Sequence, residues 1–235
     1  MNKYFEKKKL LADGGSNTKL AKNTLKTYGL SLLPHTLNSK GVNLCRFSTK
    51  ECRAMCLNSS GRAAFDSVQN ARLLKTDFFV NDEKDFIEKL YGELVAINKK
   101  GKSAVRLNVV SDVNWESKFN AYGKSMADFP NIIFYGYTKD PFQVYNVHLN
   151  NTGNQHITFS YSGGNWNYCE KFLREKICNV AVVFKGTPPA EYKGFKVVDG
   201  DKSDERFEDE KGVIVGLKYK VPRGIKYESN KFVVE

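Results

Sequence analysis

No run of eighteen apolar residues occurs anywhere in the chain, so nothing in it reads as a helix that crosses a bilayer. The basic opening, Met1-Asn-Lys-Tyr-Phe-Glu-Lys-Lys-Lys9, has no apolar h-region behind it. It does not read as a secretory signal, and a cytoplasmic protein is expected. Histidine is scarce: His35, His148 and His156 are the only three, and they lie far apart. With no G-x-S-x-G segment, a Ser-His-Asp triad has no support. Ser162-Gly-Gly-Asn165 lacks both the G-x-G-x-x-G pattern and the P-loop lysine, so no Gly-rich phosphate cradle is present. Nor does any repeat, low-complexity tract or linker divide the 235 residues. That length suits one sizeable core, and a single α/β domain over residues 1–235 is expected, with 1–40 as a basic lead-in and 41–62 as a cysteine loop.

Cysteine is also sparse, yet its distribution is uneven. Three of the five, Cys45, Cys52 and Cys56, fall within Asn43-Leu-Cys-Arg-Phe-Ser-Thr-Lys-Glu-Cys-Arg-Ala-Met-Cys56. In a reducing compartment such a cluster favours soft-metal binding over a disulfide framework. Cys52 and Cys56 stand at i and i+4 and would share one face of a nascent helix, while the six intervening residues let Cys45 close in from the side. A closed zinc site wants four ligands. No local histidine or cysteine completes that set, and Cys169 and Cys178 are more than a hundred residues away. An iron–sulfur cluster held by three cysteines, with one iron left for a small-molecule ligand, needs no fourth residue. Zinc with a remote fourth ligand, and ordinary structural cysteines, stand as the alternatives.

Charge is concentrated at the ends. Of a net charge of +11, residues 1–62 carry twelve Lys/Arg against three Asp/Glu, residues 63–210 nineteen against twenty-one, and residues 211–235 six against two. Basic termini of this kind suit contact with nucleic acid, although solvated lysine is the commoner reason for them.

Beyond the cysteine loop the hydrophobic period is first that of helices, at 63–74 and 82–99. It then changes to that of strands. Thr27–Pro34, Ala104–Val110, Asn131–Tyr137, His156–Tyr161, Asn179–Lys185, Gly194–Asp199 and Val213–Lys218 are short runs rich in β-branched or aromatic residues. Helical stretches at 115–126, 140–149 and 166–176 separate several of them. Strand alternating with helix predicts βαβ units, a mainly parallel sheet and a partial or distorted (β/α) barrel, with an antiparallel hairpin at the end. In such folds the working residues collect where strands end. The candidates there are Asn108, Asp112, Tyr137, Lys139, Ser162, Asn165 and Asp201, all expected to hold a small or nucleotide-like substrate. Each also has a structural reading: Asp112 and Asn114 as helix N-caps, Gly163-Gly164 as a turn, and 199–204 as a solvated loop.

A strand, a three-cysteine loop and successive strand–helix units together resemble the radical S-adenosylmethionine enzymes. That resemblance implies a partial barrel, a [4Fe-4S] cluster on Cys45, Cys52 and Cys56, and S-adenosylmethionine as a ligand of the open iron. The spacing here is C-x6-C-x3-C with Met55 before the last cysteine, where the common pattern is C-x3-C-x2-C with an aromatic residue there. The segments Leu44–Asn58, Arg106–Glu116 and Phe134–Lys139 are also similar to a family of bacteriophage-encoded proteins, a likeness that covers most of the chain and implies no activity. The expected function is therefore cluster-based radical or redox chemistry in a host cytoplasm. A non-catalytic metal-bearing module that binds nucleic acid or a protein is the alternative, and a metal-free hydrolase or transferase the third reading.

Overall fold

A computed structural model describes residues 5–14, 23–150, 153–221 and 227–235. The elements run β1 (Ala12–Asp13), β2 (Thr27–Gly29), α1 (Lys50–Ala54), α2 (Asp66–Asn81), α3 (Glu83–Asn98), β3 (Ser103–Arg106), α4 (Trp115–Asn120), β4 (Ile132–Thr138) and α5 (Pro141–Asn150). They continue with β5 (Gln155–Ser160), α6 (Trp166–Arg174), β6 (Asn179–Phe184), β7 (Glu191–Tyr192), β8 (Phe195–Asp199), β9 (Ile214–Lys218) and β10 (Val233–Val234). Among the described residues these strands form one sheet of ten in the order β1-β2-β3-β4-β5-β6-β9-β8-β7, with β10 also on β6. From β2 to β8 every neighbouring pair is parallel. The antiparallel pairs are β1 with β2 and the β7–β8 hairpin. The sheet is not closed. The α/β class and mainly parallel pairing expected from the sequence are therefore present, while a barrel is not shown by the pairing.

Alternation along the strands sends residues to two different environments. On one face Val105, Ile132 and Phe134 meet Phe79 of α2, Phe86, Leu90 and Leu94 of α3, and Trp115 and Phe119 of α4. Farther along, Phe159, Val180, Val182, Phe184 and Ile214 meet Val144 of α5 with Cys169, Phe172 and Leu173 of α6. The other face carries Ala104, Arg106, Tyr135, Tyr137 and His156. It is covered by residues 203–208, the connection between β8 and β9. Phe207 packs against the rings of Tyr135 and His156, at centroid distances of 5.6 and 5.9 Å. Glu205 Oε1 accepts from the backbone N–H groups of Thr24 and Leu25, just ahead of β2. This plug ties one end of the sheet to the other with side chains.

Several local expectations need correction. β2 stops at Gly29 rather than at Pro34, because Leu30 onward belongs to the loop that carries the cysteines. The helix expected over 63–74 begins as a 3-10 turn at Gly61–Ala64, and α2 proper runs seven residues past the expected end, to Asn81. α4 ends at Asn120, six residues short of the expected end, in a turn at Tyr122-Gly123. The lead-in is not merely polar: Phe5, Leu10 and Leu11 are buried, and both oxygens of Glu93 accept from the N–H groups of Leu10 and Leu11. Residues 16–23, a polar stretch whose sequence reads as a short helix or loop, lie outside the described residues apart from Asn23.

β10 takes its place beside β6 where β5 has ended. β5 pairs with Asn179–Ala181 of β6, and β10 pairs with Val183 and Phe184. The approach presses Lys231 onto Gly163, which has φ +94°; a Cβ there would lie 2.8 Å from Lys231 Cβ and 2.9 Å from its carbonyl. Gly163→Ala is expected to cost about 2 kcal/mol in urea unfolding and to open the 227–235 segment to limited proteolysis. Native resistance in this variant would show that the segment does not depend on that contact.

Candidate functional site

A cavity of about 380 Å³ opens at the C-terminal ends of the parallel strands. Its wall takes Arg106 and Asn108 from the end of β3, Tyr137 and Lys139 from β4, Ser160 and Tyr161 from β5, and Ala181 and Val183 from β6. Leu217 to Lys220 come from β9, and Phe232 from the segment ahead of β10. Cys45, Cys52 and Cys56 all line it. Position at strand ends, apolar wall and few convergent polar groups are what a ligand site requires.

The cysteine loop is held from several sides. Asp112 N–H donates to Leu44 O, Leu33 N–H to Thr76 Oγ1 of α2, and Tyr219 Oη to Met55 Sδ. Thr49 caps α1 by accepting from Cys52 N–H, and its own hydroxyl donates to Ser162 O. His35 adopts a left-handed backbone (φ 40°), unusual for a residue with a side chain, and its N–H donates to Cys45 Sγ at 3.3 Å. The shared helical face expected for Cys52 and Cys56 does not form. α1 ends at Ala54, Cys56 N–H bonds back to Arg53 O, and Cys56 itself is extended (φ −66°, ψ 131°) at the start of the next 3-10 turn. Among the described residues no three His, Cys, Asp or Glu side chains stand close enough to grip a single ion. The thiols share a wall rather than a point.

Electrostatics around them is distinctive. Burial pushes the Cys45 thiol up to about 11, against the His35 N–H, and raises Cys56 as well. Lys139 is half-buried among them; desolvation disfavours its ammonium, but Cys52, Asp112 and Cys45 outweigh that and hold its pKa above the usual value. Burial likewise raises the Asp112 carboxyl, whose Oδ2 accepts from Lys139 N–H while Oδ1 has no hydrogen-bond partner. The Tyr137 hydroxyl is also buried without a partner, and the Arg106 guanidinium lies 4.8 Å from its ring centroid. Buried polar atoms left without a partner are costly.

The residues expected at the strand ends divide into two sets. Asp112, Tyr137, Lys139 and Asp201 line the cavity, Asp201 through bonds from Lys218 N–H and Lys220 Nζ. Asn108 lines it too, but its amide is spent on the loop that follows: Oδ1 accepts from Ser111 Oγ, Val113 N–H and Trp115 Nε1, and Nδ2 donates to Val113 O. Ser162 and Asn165 lie outside the lining, where Asn165 Oδ1 accepts from Ser162 N–H and Nδ2 donates to Ser160 O. Asn114 is the N-cap of α4. The 199–204 loop is not simply solvated: Asp204 is fully buried, 2.8 Å from Arg106 Nη1, and accepts from Tyr135 Oη. Sequence reasoning missed Arg106, Asp204, His35, Arg72 and Phe232. Cys169 and Cys178 sit in the apolar cluster under α6, where burial pushes each thiol up to about 12.

The family model described as Gene product 88 matches residues 7–233. The chain belongs to that family. It is a phage-type family, in keeping with the likeness to bacteriophage-encoded proteins read from the sequence. None of the curated proteins and none of the solved structures matches the chain. No helix among the described residues is long and apolar enough to cross a membrane.

Two measurements probe this site. Removing the Asp204 carboxylate leaves the Arg106 charge buried, so Asp204→Ala is expected to cost about 3–5 kcal/mol in chemical denaturation; a loss under 1 kcal/mol would mean that water reaches the guanidinium. A thiol whose pKa is raised on folding contributes stability that is present below its unfolded value, near 9, and lost as pH rises through about 11. Metal-free native protein should therefore lose more stability between pH 9 and 11 than Cys45→Ser does, read from urea midpoints. Parallel pH profiles would contradict the burial of that thiol.

Proposed function

We propose that Cys45, Cys52 and Cys56 hold an iron–sulfur cluster at this mouth, and that the chain carries out redox or radical chemistry on a small or nucleotide-like ligand in the same cavity. The observation that carries the reading is that all three thiols line one cavity at the ends of parallel strands that follow chain order from β2 to β6. That order is the one a partial barrel would have. Soft thiolates select iron–sulfur clusters or zinc. Cys45, Cys52 and Cys56, which share a wall without converging on one point, would be the residues to hold such a cluster. Cys169 and Cys178 are committed to the core, which leaves the fourth iron for S-adenosylmethionine or another small ligand.

When bound, the cluster supplies single electrons and a site for an exogenous donor. The chain's own groups do the rest. The Lys139 ammonium offsets thiolate charge. Asp112 and Tyr137 would supply the polar groups of the wall for a ligand, and Phe232 and Tyr161 its apolar surface. The thiols must lose their protons on loading, so cluster uptake releases protons and strengthens with pH.

Protein purified without oxygen is expected to be brown, with broad absorption near about 400 nm. Cys45→Ser, Cys52→Ser and Cys56→Ser should each lose the iron, and Cys169→Ser should keep it. Reductant and S-adenosylmethionine should then yield 5′-deoxyadenosine in the native chain but not in the first three variants. Colourless protein with stoichiometric zinc would overturn the cluster. A stable cluster with no cleavage would favour the non-catalytic module, whose contact with nucleic acid would be seen as binding that falls steeply with salt.

A further inference from the structure

Besides its three thiols, the cavity wall carries six cationic side chains, Arg53, Arg72, Arg106, Lys139, Lys218 and Lys220, against two carboxylates, Asp112 and Asp201. Most of that charge is already answered. Arg106 is paired with Asp204, Lys220 with Asp201, and Lys139 sits by Asp112 and the cysteines. Arg53 donates to Ser48 O and Oγ at the exposed edge.

Arg72 is different. It projects from α2, outside the strand-end set, and its Nη1 donates to Asn58 Oδ1 at 2.6 Å. Its Nε is buried with no hydrogen-bond partner, and no carboxylate pairs with it among the described residues. Burial disfavours its charge, and the one opposing influence is the Cys56 thiolate. A half-buried guanidinium that lines a cavity with no carboxylate beside it is a group that lacks its acceptor. Arginine also presents a planar fork that fits carboxylate and phosphate oxygens. Tyr161, Val183, Leu217, Tyr219 and Phe232 also line the cavity and give it aromatic and aliphatic surface.

We infer that the ligand of this cavity is an anionic small molecule whose phosphate or carboxylate group is received by Arg72, with an apolar or ring portion against the Tyr161–Phe232 wall. This deepens the preceding reading by naming the ligand class, but it does not require iron. Arg72 is a binding residue here, distinct from the cysteines.

The test is calorimetric titration of the full chain, at fixed ionic strength in phosphate-free buffer, with pyrophosphate and with adenosine 5′-monophosphate against adenosine. One site per chain is expected for the anions, at least tenfold tighter for the monophosphate than for adenosine. Arg72→Gln should weaken the anions at least tenfold, and Arg72→Lys less. Lys100→Gln, which removes an exposed charge away from the cavity, should change nothing. A Cys45→Ser/Cys52→Ser/Cys56→Ser chain should still bind the anion, so failure of the cluster and failure of the anion site are read separately. Circular dichroism melts establish that each variant is folded. Equal weakening by Arg72→Gln and Lys100→Gln, or many weak sites per chain, would mean that the net charge of +11 alone attracts the probe, and the inference falls. It also falls if Arg72→Gln loses iron while keeping anion affinity, since Arg72 would then serve only to balance the thiolates.

Discussion

The buried pair of Arg106 and Asp204 is the constraint on which the site depends. Arg106 stands on β3 and Asp204 in the connection between β8 and β9, 98 residues later. Their contact fastens that connection across the polar face of an open sheet. The guanidinium is otherwise satisfied by the carbonyls of Asn108 and Val109, and the carboxylate by Tyr135 Oη, so neither charge is stranded. A buried pair of this kind contributes little net stability after desolvation, yet loss of one partner is expensive. Its effect is to fix position. With Phe207 on Tyr135 and Glu205 on the Thr24–Leu25 backbone, the plug covers one end of the face, and the other end is left as a cavity.

That division explains why the chain spends two unrelated segments on the rim. The cysteine loop reaches the ends of β5 and β9 through Thr49 on Ser162 O and Tyr219 on Met55. The C-terminal segment reaches the same place by adding β10 to β6 and laying Lys231 over Gly163. Both converge where β5 stops short of β6. A full-length β5 would occupy the edge that β10 takes, and Phe232 would not reach the cavity.

How much of this was legible follows from the range of each interaction. Parallel strands buried on both sides are dense in Val, Ile and Phe, so β4, β5, β6 and β9 lie within a residue or so of the runs that mark them. The cysteines and the strand-end residues Asp112, Tyr137 and Lys139 were legible because spacing and position relative to a strand are local properties. β3 was read too long, since Leu107 continues the apolar pattern while Asn108 already turns the chain with its side chain. Arg72 was missed for a related reason: it lies in a helical pattern that explains it as surface. Nothing near Asp204 announces a partner 98 residues away, and a loop of Asp, Lys and Ser reads as solvated. Burial of Phe5, Leu10 and Leu11 likewise depends on Glu93 of a distant helix answering two backbone donors.

The cavity's charge and its raised thiols are two expressions of one balance. Burial holds Cys45 and Cys56 as neutral thiols, and the wall's six cations face only Asp112, Asp201 and the buried Asp204, so the region is electropositive at neutral pH. Deprotonating Cys45 and Cys56 in place is opposed by burial and by repulsion from neighbouring thiolate, and favoured by Lys139 and, at Cys56, by Arg72. Two kinds of guest can therefore supply the missing negative charge: thiolates made permanent by a soft metal, or an anion brought from solution. As proposed above, the first would lie nearest Lys139, which Cys45 and Cys52 face, and the second nearest Arg72. Because Cys56 feels both cations, each of the two proposed guests would alter the electrostatic cost of the other. Metal loading and ligand binding, as proposed for this mouth, would thus be linked through charge even where their contacts are separate.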